Sequence, residues 1–191
     1  MNIVVLEQML SGVADNPRAV TENLVRRYGT VFELAEAELD DLARTLDGDM
    51  STSIYIKLAV SLASRRICDK FTFNKKHTEE EIKEYLISFF FGTPTEVVAV
   101  ISIDGSGRVI AMDKVGVGVV NSSNVLPRKI IEVAMRHGAK DVIIAHNHPG
   151  GYPHASSEDV ESARLLCEVL RMSGIGVISN YIVAGPDCVE F

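Results

Sequence analysis

The chain has 191 residues, with 26 acidic against 19 basic side chains and a formal net charge of −7. That length suits one large domain or a small domain beside a larger one, and a content of 47% hydrophobic and 24% charged residues is that of an ordinary globular protein. The acidic balance argues against strong binding of nucleic acid or of an anionic membrane, although a local basic patch is compatible with it.

Cysteine usage and hydropathy indicate the cellular compartment in which the protein is expected. Cys68, Cys167 and Cys188 are scattered and form no C-x-x-C pair, and such a sparse, odd count predicts a reducing environment rather than a disulfide framework. Residues 1–14 lack the cationic leader of a signal peptide, and no apolar run reaches the roughly 18 residues of a spanning helix. We therefore expect a cytoplasmic protein with no membrane partner.

Helical signals dominate the first part of the chain. Asn16-Pro17, Thr30 and Ser51 each stand where a helix can begin, because their side chains can cap the first free amides. Asp47-Gly48-Asp49 is typical of a turn between two helices. Thr78-x-x-Glu81 has the spacing of a capping box at the start of one more helix.

After Gly92, runs of β-branched residues alternate with helical patterns. The predicted elements are strands at 96–104, 108–112 and 115–120, a helix at 127–138, a buried strand at 141–145, a helix at Ser157–Met172 and a strand at Gly176–Ala184. This alternation predicts an α/β domain over about residues 77–191, preceded by a small all-α domain over residues 1–76.

The stretch from His146 to Asp159 has the residue types of a metal site. At an i, i+2 spacing in extended chain, His146 and His148 point to the same side, and two converging imidazoles can hold Zn²⁺. Asp159 falls in the first turn of the next predicted helix, and the Pro- and Gly-rich loop between can bring its carboxylate to the same metal. Such a set leaves a fourth position open for water, as in catalytic rather than structural zinc sites.

A hydrolytic site also needs a proton acceptor and a donor for the developing oxyanion. Glu96 is an acid at the start of an apolar strand and could act as general base if that strand neighbours residues 141–145. Ser156 could donate a hydrogen bond to the oxyanion. Structural roles stay open for both, since Glu96 could be a solvated edge charge and Ser156-x-x-Asp159 is also a capping box. His154 is expected to be a loop histidine.

Glu96, His146-x-His148, Ser156 and Asp159 together resemble the JAMM (MPN-plus) motif of zinc metallohydrolases. The flanking sequences EVVAVISID and IIAHNHPGG resemble the RadC branch of that family. The resemblance implies a JAB/MPN, cytidine-deaminase-like mixed sheet with flanking helices, preceded by a helix-hairpin-helix-like domain. It implies Zn²⁺ as the cofactor, held by His146, His148 and Asp159, with Glu96 as base and Ser156 as oxyanion donor.

The activity implied by the resemblance is hydrolysis of a peptide or isopeptide bond in an unidentified peptide or protein substrate. Two alternatives stay open: a DNA-repair-associated factor of the RadC type, and a catalytically silent metal-binding scaffold. Residues 46–50 hold one glycine and two acids where a helix-hairpin-helix has G-x-G, and residues 1–70 carry 8 basic against 11 acidic side chains, which disfavours DNA binding. Asn180-Tyr181, where the family often has Asp-His, and a shorter tail after Glu190 keep the scaffold alternative open.

Overall fold

The computed structural model describes residues 1–118 and 125–191, and only the backbone of residues 67 and 125. The helices are α1 Ile3–Leu10, α2 Pro17–Tyr28, α3 Val31–Glu36, α4 Leu39–Thr45, α5 Met50–Cys68, α6 Glu79–Phe90, α7 Val125–His137 and α8 Ser157–Met172. The strands are β1 Val97–Ile103, β2 Val109–Val117, β3 Asp141–Asn147, β4 Gly176–Ala184 and β5 Asp187–Glu190. The contacts divide the chain into two compact units, one of Met1–Ile67 with Phe91–Pro94 and one of Cys68–Phe90 with Thr95–Phe191.

The first unit is helical and closes around one apolar core. That core consists of Leu6, Leu10, Leu24, Tyr28, Leu34, Leu42, Leu46 and Ile56. The predicted starts of α2 and α3 are confirmed, because the Asn16 side chain accepts from the Ala19 amide and the Thr30 side chain accepts from the Glu33 amide.

Three features of this unit differ from the prediction or escaped it. The predicted cap at Ser51 is wrong, because α5 already includes that residue and the Asp49 side chain accepts from the Thr52 amide at 3.0 Å. The short helices α1 and α4 were not predicted. Each has only two buried side chains, so neither carries the long apolar stripe that reveals a helix in sequence.

The second unit is built on a five-stranded mixed sheet in the order β2-β1-β3-β4-β5. β1 runs antiparallel to both β2 and β3, β3 is parallel to β4, and β5 returns antiparallel to β4. The parallel pair requires a crossover, which α8 supplies. β3 is therefore hydrogen-bonded along both of its edges.

Strict alternation along β1 separates two apolar layers. One layer packs against α6 and contains Val97, Ala99, Ile101 and Ile103 together with Leu86 and Phe90. The other layer packs against α7 and α8 and contains Val98, Val100, Val142 and Ile144 together with Ile130, Leu166 and Leu170. Helices thus cover both faces of the sheet, and the predicted α/β mixed sheet with flanking helices and a helical N-terminal part is confirmed.

The strand prediction after β1 needs one correction. The two strands predicted at 108–112 and 115–120 form a single strand, β2, in which the polar pair Asp113-Lys114 lies opposite Val100 and Ala99. Register shifts at both ends of the pairing let β2 curve along the shorter β1. The predicted strand residues Val119 and Val120 lie outside the described residues.

Two further observations concern helix hydropathy and the cysteines. Within residues 1–118 and 125–191, no helix combines the length and the hydropathy needed to cross a membrane. All three cysteines are free thiols.

Candidate metal centre

Four side chains converge at one end of the sheet of the second unit. Glu96, His146, His148 and Asp159 each offer a nitrogen or carboxylate oxygen, and these atoms all lie within 4.8 Å of one another. These are the four residues predicted from sequence as metal ligands and general base.

The strand register explains this convergence. Val98 of β1 lies opposite His146 of β3, so Glu96, just before β1, approaches the residues that follow β3. His146 shares a face with Val142 and Ile144, which is the face covered by α8. Asp159 lies in the first turn of α8 and so reaches the same corner.

His146 is the one fully buried member, at 7% exposure. Burial lowers the pKa of its imidazole to about 4, against the opposing effect of the Asp159 carboxylate, because a charged ring is poorly solvated there. The ring is therefore neutral near pH 7, which is the form that binds metal ions. Its Nε2 atom lies 3.0 Å from His148 Nε2 and 3.5 Å from Asp159 Oδ1.

His148 is oriented by the loop that follows it. Its Nδ1 atom lies 3.2 Å from the carbonyl oxygen of Tyr152, and an Nδ1–H that donates to this oxygen leaves the lone pair on Nε2. Nε2 then lies 3.7 Å from Asp159 Oδ2. Gly151 lets the loop pass close by, since a Cβ at this position would lie 3.2 Å from His148 Cβ.

Asp159 is fixed by a capping box with Ser156. The Ser156 amide and hydroxyl donate to Asp159 Oδ2 at 2.8 and 2.6 Å, and the Asp159 amide donates to Ser156 Oγ at 3.1 Å. Burial raises the pKa of this carboxyl, but the Ser156 hydrogen bonds outweigh it, so the pKa lies below its ordinary value. Both residues therefore fill the structural role left open by the sequence, and the ligand and oxyanion roles stay predictions.

Glu96 has the environment of a proton acceptor. Partial burial raises the pKa of its carboxyl, which the neighbouring His148 lowers and Asp159 raises. A raised pKa brings a carboxylate closer to the operating pH, where general bases are most effective. Glu96 is thus distinguished from an ordinary solvated edge charge by both its neighbours and its pKa.

The donor distances fit a tetrahedral zinc ion. Ligand bonds of about 2.0–2.1 Å at tetrahedral angles separate neighbouring ligand atoms by about 3.3 Å. The three ligand pairs among His146, His148 and Asp159 lie at 3.0, 3.5 and 3.7 Å. Two imidazoles and one carboxylate are also a donor set that zinc prefers.

The surroundings of the cluster include Phe191, which the sequence did not reveal, and Asn180, which the sequence singled out as a departure from the family pattern. Phe191 presents its ring edge-to-face to His146 at a centroid distance of 5.7 Å. Phe191 and Asn180 line a recess of about 30 Å³ beside His146 and Asp159. His154 is exposed in the loop before α8, as predicted, and the four-residue group does not include it.

A mixed sheet with an acid before its first strand, a His-x-His pair at the end of its central strand and an aspartate at the following helix start has the arrangement expected of a JAB-type domain. A family model described as a RadC-like JAB domain matches residues 76–191. The chain therefore belongs to the RadC family.

Full-length relatives agree with this assignment. The chain is 26% identical over 170 residues to a UPF0758 protein of Herminiimonas arsenicoxydans, covering 88% of this chain and 76% of the relative. It is 28% identical over 172 residues to one of Cellvibrio japonicus (90% and 77%) and 24% identical over 183 residues to one of Tolumonas auensis (95% and 82%). The similarity thus extends through the helical unit as well.

Proposed function

We propose that this protein is a zinc-dependent hydrolase that cleaves a peptide or isopeptide bond. The observation that carries the proposal is the convergence of Glu96, His146, His148 and Asp159 within 4.8 Å. Membership of a JAB-domain family supports it, since the same residue types at the same spacing form the JAMM motif.

In this proposal each side chain has a separate task. His146, His148 and Asp159 would hold the ion, and bound zinc would acidify water and polarise the scissile carbonyl. Glu96 accepts a proton from the attacking water and then passes it to the leaving amine. Partial burial raises the pKa of its carboxyl, and a carboxyl with a raised pKa is a better proton acceptor and donor than an ordinary glutamate.

Ser156 combines two tasks in this scheme. Its hydroxyl donates to Asp159 Oδ2 and so holds that carboxylate toward the histidines. We propose that the same hydroxyl donates to the substrate oxyanion once the Asp159 carboxylate is bound to the ion.

The first prediction concerns Glu96→Gln. This variant should bind one zinc per chain with a Kd within about threefold of wild type, and should lose at least about 100-fold in cleavage because it cannot accept the proton. Zinc is measured by elemental analysis, and cleavage with a library of quenched fluorescent peptides that includes Lys-linked isopeptides. Glu84→Gln, an exposed acid on α6, is the matched control and should be fully active.

Two results would contradict this function. Retained cleavage in Glu96→Gln would remove the proposed base, and carefully prepared wild type without bound metal would remove the proposed cofactor. Wild type that binds zinc but cleaves nothing in the library would favour the scaffold alternative.

We also propose a cytoplasmic location, because the three cysteines are free thiols, as is usual in a reducing compartment.

A further inference from the structure

Asn147 stands between the two histidines but faces away from their cluster. It is the last residue of β3, and alternation along a strand turns its side chain to the opposite side from that of His146. Its side chain is buried, at 3% exposure. A buried amide costs free energy unless its donor and acceptor are both used, so its partners indicate its role.

The oxygen and the nitrogen of this side-chain amide bind the backbone on either side of Glu96. Asn147 Oδ1 accepts from the Val97 amide at 2.8 Å, and Asn147 Nδ2 donates to the Thr95 carbonyl at 3.1 Å. The two backbone partners are the residues immediately before and after Glu96. Toward β2, the other neighbour of β1, the Glu96 carbonyl accepts from the Gly118 amide at 2.8 Å.

We propose that Asn147 is a positioning residue that holds the backbone of Glu96 so that its carboxylate faces the metal ligands. The proposal rests on the proposed function, in which Glu96 is the base. The β1–β3 ladder gives a physical reason for it, because the paired register ends at Val98 opposite His146, and the next amide, that of Val97, donates to the Asn147 side chain instead. The Asn147 side chain thus takes the place of a backbone acceptor at the end of β1, just after Glu96.

Only a short amide meets both requirements. Aspartate keeps an acceptor for the Val97 amide but offers no donor to the Thr95 carbonyl, and alanine offers neither. Asn147→Asp and Asn147→Ala therefore remove the two contacts in a graded way. Ser102→Ala is the matched control, since Ser102 is buried on β1 and its hydroxyl has no hydrogen-bond partner among the residues that the structure describes.

The first test is amide hydrogen exchange in metal-free protein, resolved by NMR. Asn147→Ala should speed exchange at the Val97 amide by at least about tenfold, while Asn147→Asp and Ser102→Ala leave it within about threefold of wild type. Unchanged exchange at Val97 in Asn147→Ala would overturn the proposal. This test requires neither metal nor substrate. If the exchange results agree with the two Asn147 hydrogen bonds but the protein cleaves nothing, the proposed function is contradicted and the role of Asn147 in holding the backbone is not.

The second test uses Co²⁺ as the probe, because its visible spectrum reports the arrangement of groups around the ion. Asn147→Ala should change the spectrum in the same direction as Glu96→Gln, the double variant should add nothing, and Co²⁺ affinity should stay within about threefold of wild type. A loss of affinity of tenfold or more would overturn the proposal, because Asn147 would then support the histidines rather than Glu96. Summed changes in the double variant would overturn it as well.

Discussion

His146 is buried beside a carboxylate and yet remains neutral, since the cost of burying a charged ring exceeds the attraction of Asp159. This has a consequence for stability. The unfolded chain takes up a proton at this histidine near pH 6.5, but the folded chain does so only near pH 4. Stability that is fully present above pH 6.5 is therefore lost progressively as the pH falls toward 4.

The second prediction follows from this sign. In metal-free protein, His146→Gln should lose about 2 kcal/mol less unfolding free energy between pH 7 and pH 5 than wild type does, because it has no ring to protonate. Urea unfolding at the two pH values measures the difference. His154→Gln, a change at an exposed ring, should behave as wild type, and an equal loss in His146→Gln would contradict the assigned pKa.

The candidate ligands could be predicted because their signal is local. His146-x-His148, Ser156 and Asp159 lie within 14 residues, and their spacing alone indicates a strand, a loop and a helix start. Asn147 and the Tyr152 carbonyl could not be predicted in their roles. Their partners are backbone groups, which every residue carries, so only the fold specifies which ones they meet.

At the scale of elements, the two helices α6 and α8 begin with the same device. Thr78 and Glu81 form a capping box in which the Thr78 amide donates to Glu81 at 2.9 Å and the Glu81 amide donates to Thr78 at 3.2 Å. Ser156 and Asp159 repeat it at α8, where the acid is also a candidate ligand. The chain thus contains one capping box that includes a candidate metal ligand and one that does not.

The third prediction uses this pair. Ser156→Ala and Thr78→Ala should each cost about 1 kcal/mol of unfolding free energy, but only Ser156→Ala should weaken zinc binding, by about tenfold, because Asp159 loses its anchor. Chemical unfolding and competition with a zinc chelator measure the two effects. Equal zinc affinity in both variants would show that the α8 cap does not position the ligand.

The turn between α4 and α5 bears on the DNA-associated alternative. Asp47 and Gly48 have positive φ angles of 53° and 88°, and the Asp49 carboxylate already accepts from the Thr52 amide. A phosphate approaching this helix start would meet two acidic side chains. The arrangement therefore disfavours the phosphate grip of a helix-hairpin-helix.

The fourth prediction is that the protein binds duplex and single-stranded DNA only weakly. Fluorescence anisotropy should give no Kd below about 10 μM at 50 mM salt, because acids occupy the turn that would hold a phosphate. Affinity in the nanomolar range that falls steeply between 50 and 200 mM salt would contradict this. Asp47→Lys/Asp49→Lys serves as a comparison, and should bind DNA more tightly if charge at this turn is what opposes binding.

How well each element could be predicted depended on the length of its pattern. The bounds of α8 and β4 agree with the sequence prediction, because each has a long apolar pattern and clear end signals. The sequence predicts two strands where the structure has β2, because the polarity of Asp113-Lys114 suggests a break. Pairing with β1 nevertheless keeps these residues in one strand. Tertiary contacts decide such a case, and one strand's composition does not report them.

At the scale of the whole molecule, zinc should act as a folding ligand. The fifth prediction is that zinc at 100 times its Kd raises the unfolding free energy by about 2.7 kcal/mol and that chelation reverses the gain, because the ligands are assembled only in the folded chain. Thermal unfolding with and without zinc measures the gain. His148→Ala should abolish it and His154→Ala should keep it, whereas an equal gain in both would mean that zinc binds elsewhere.

The position of β3 in the sheet has a consequence for biosynthesis. β3 carries His146, leads directly into His148 and is enclosed between β1 and β4, but β4 is made only after the whole of α8. Until residues 176–184 have left the ribosome, the apolar strand Asp141–Asn147 has an open edge that can pair with another chain. The strand that leads into the candidate ligands therefore keeps an open edge, and with it a risk of aggregation, for as long as the chain is unfinished.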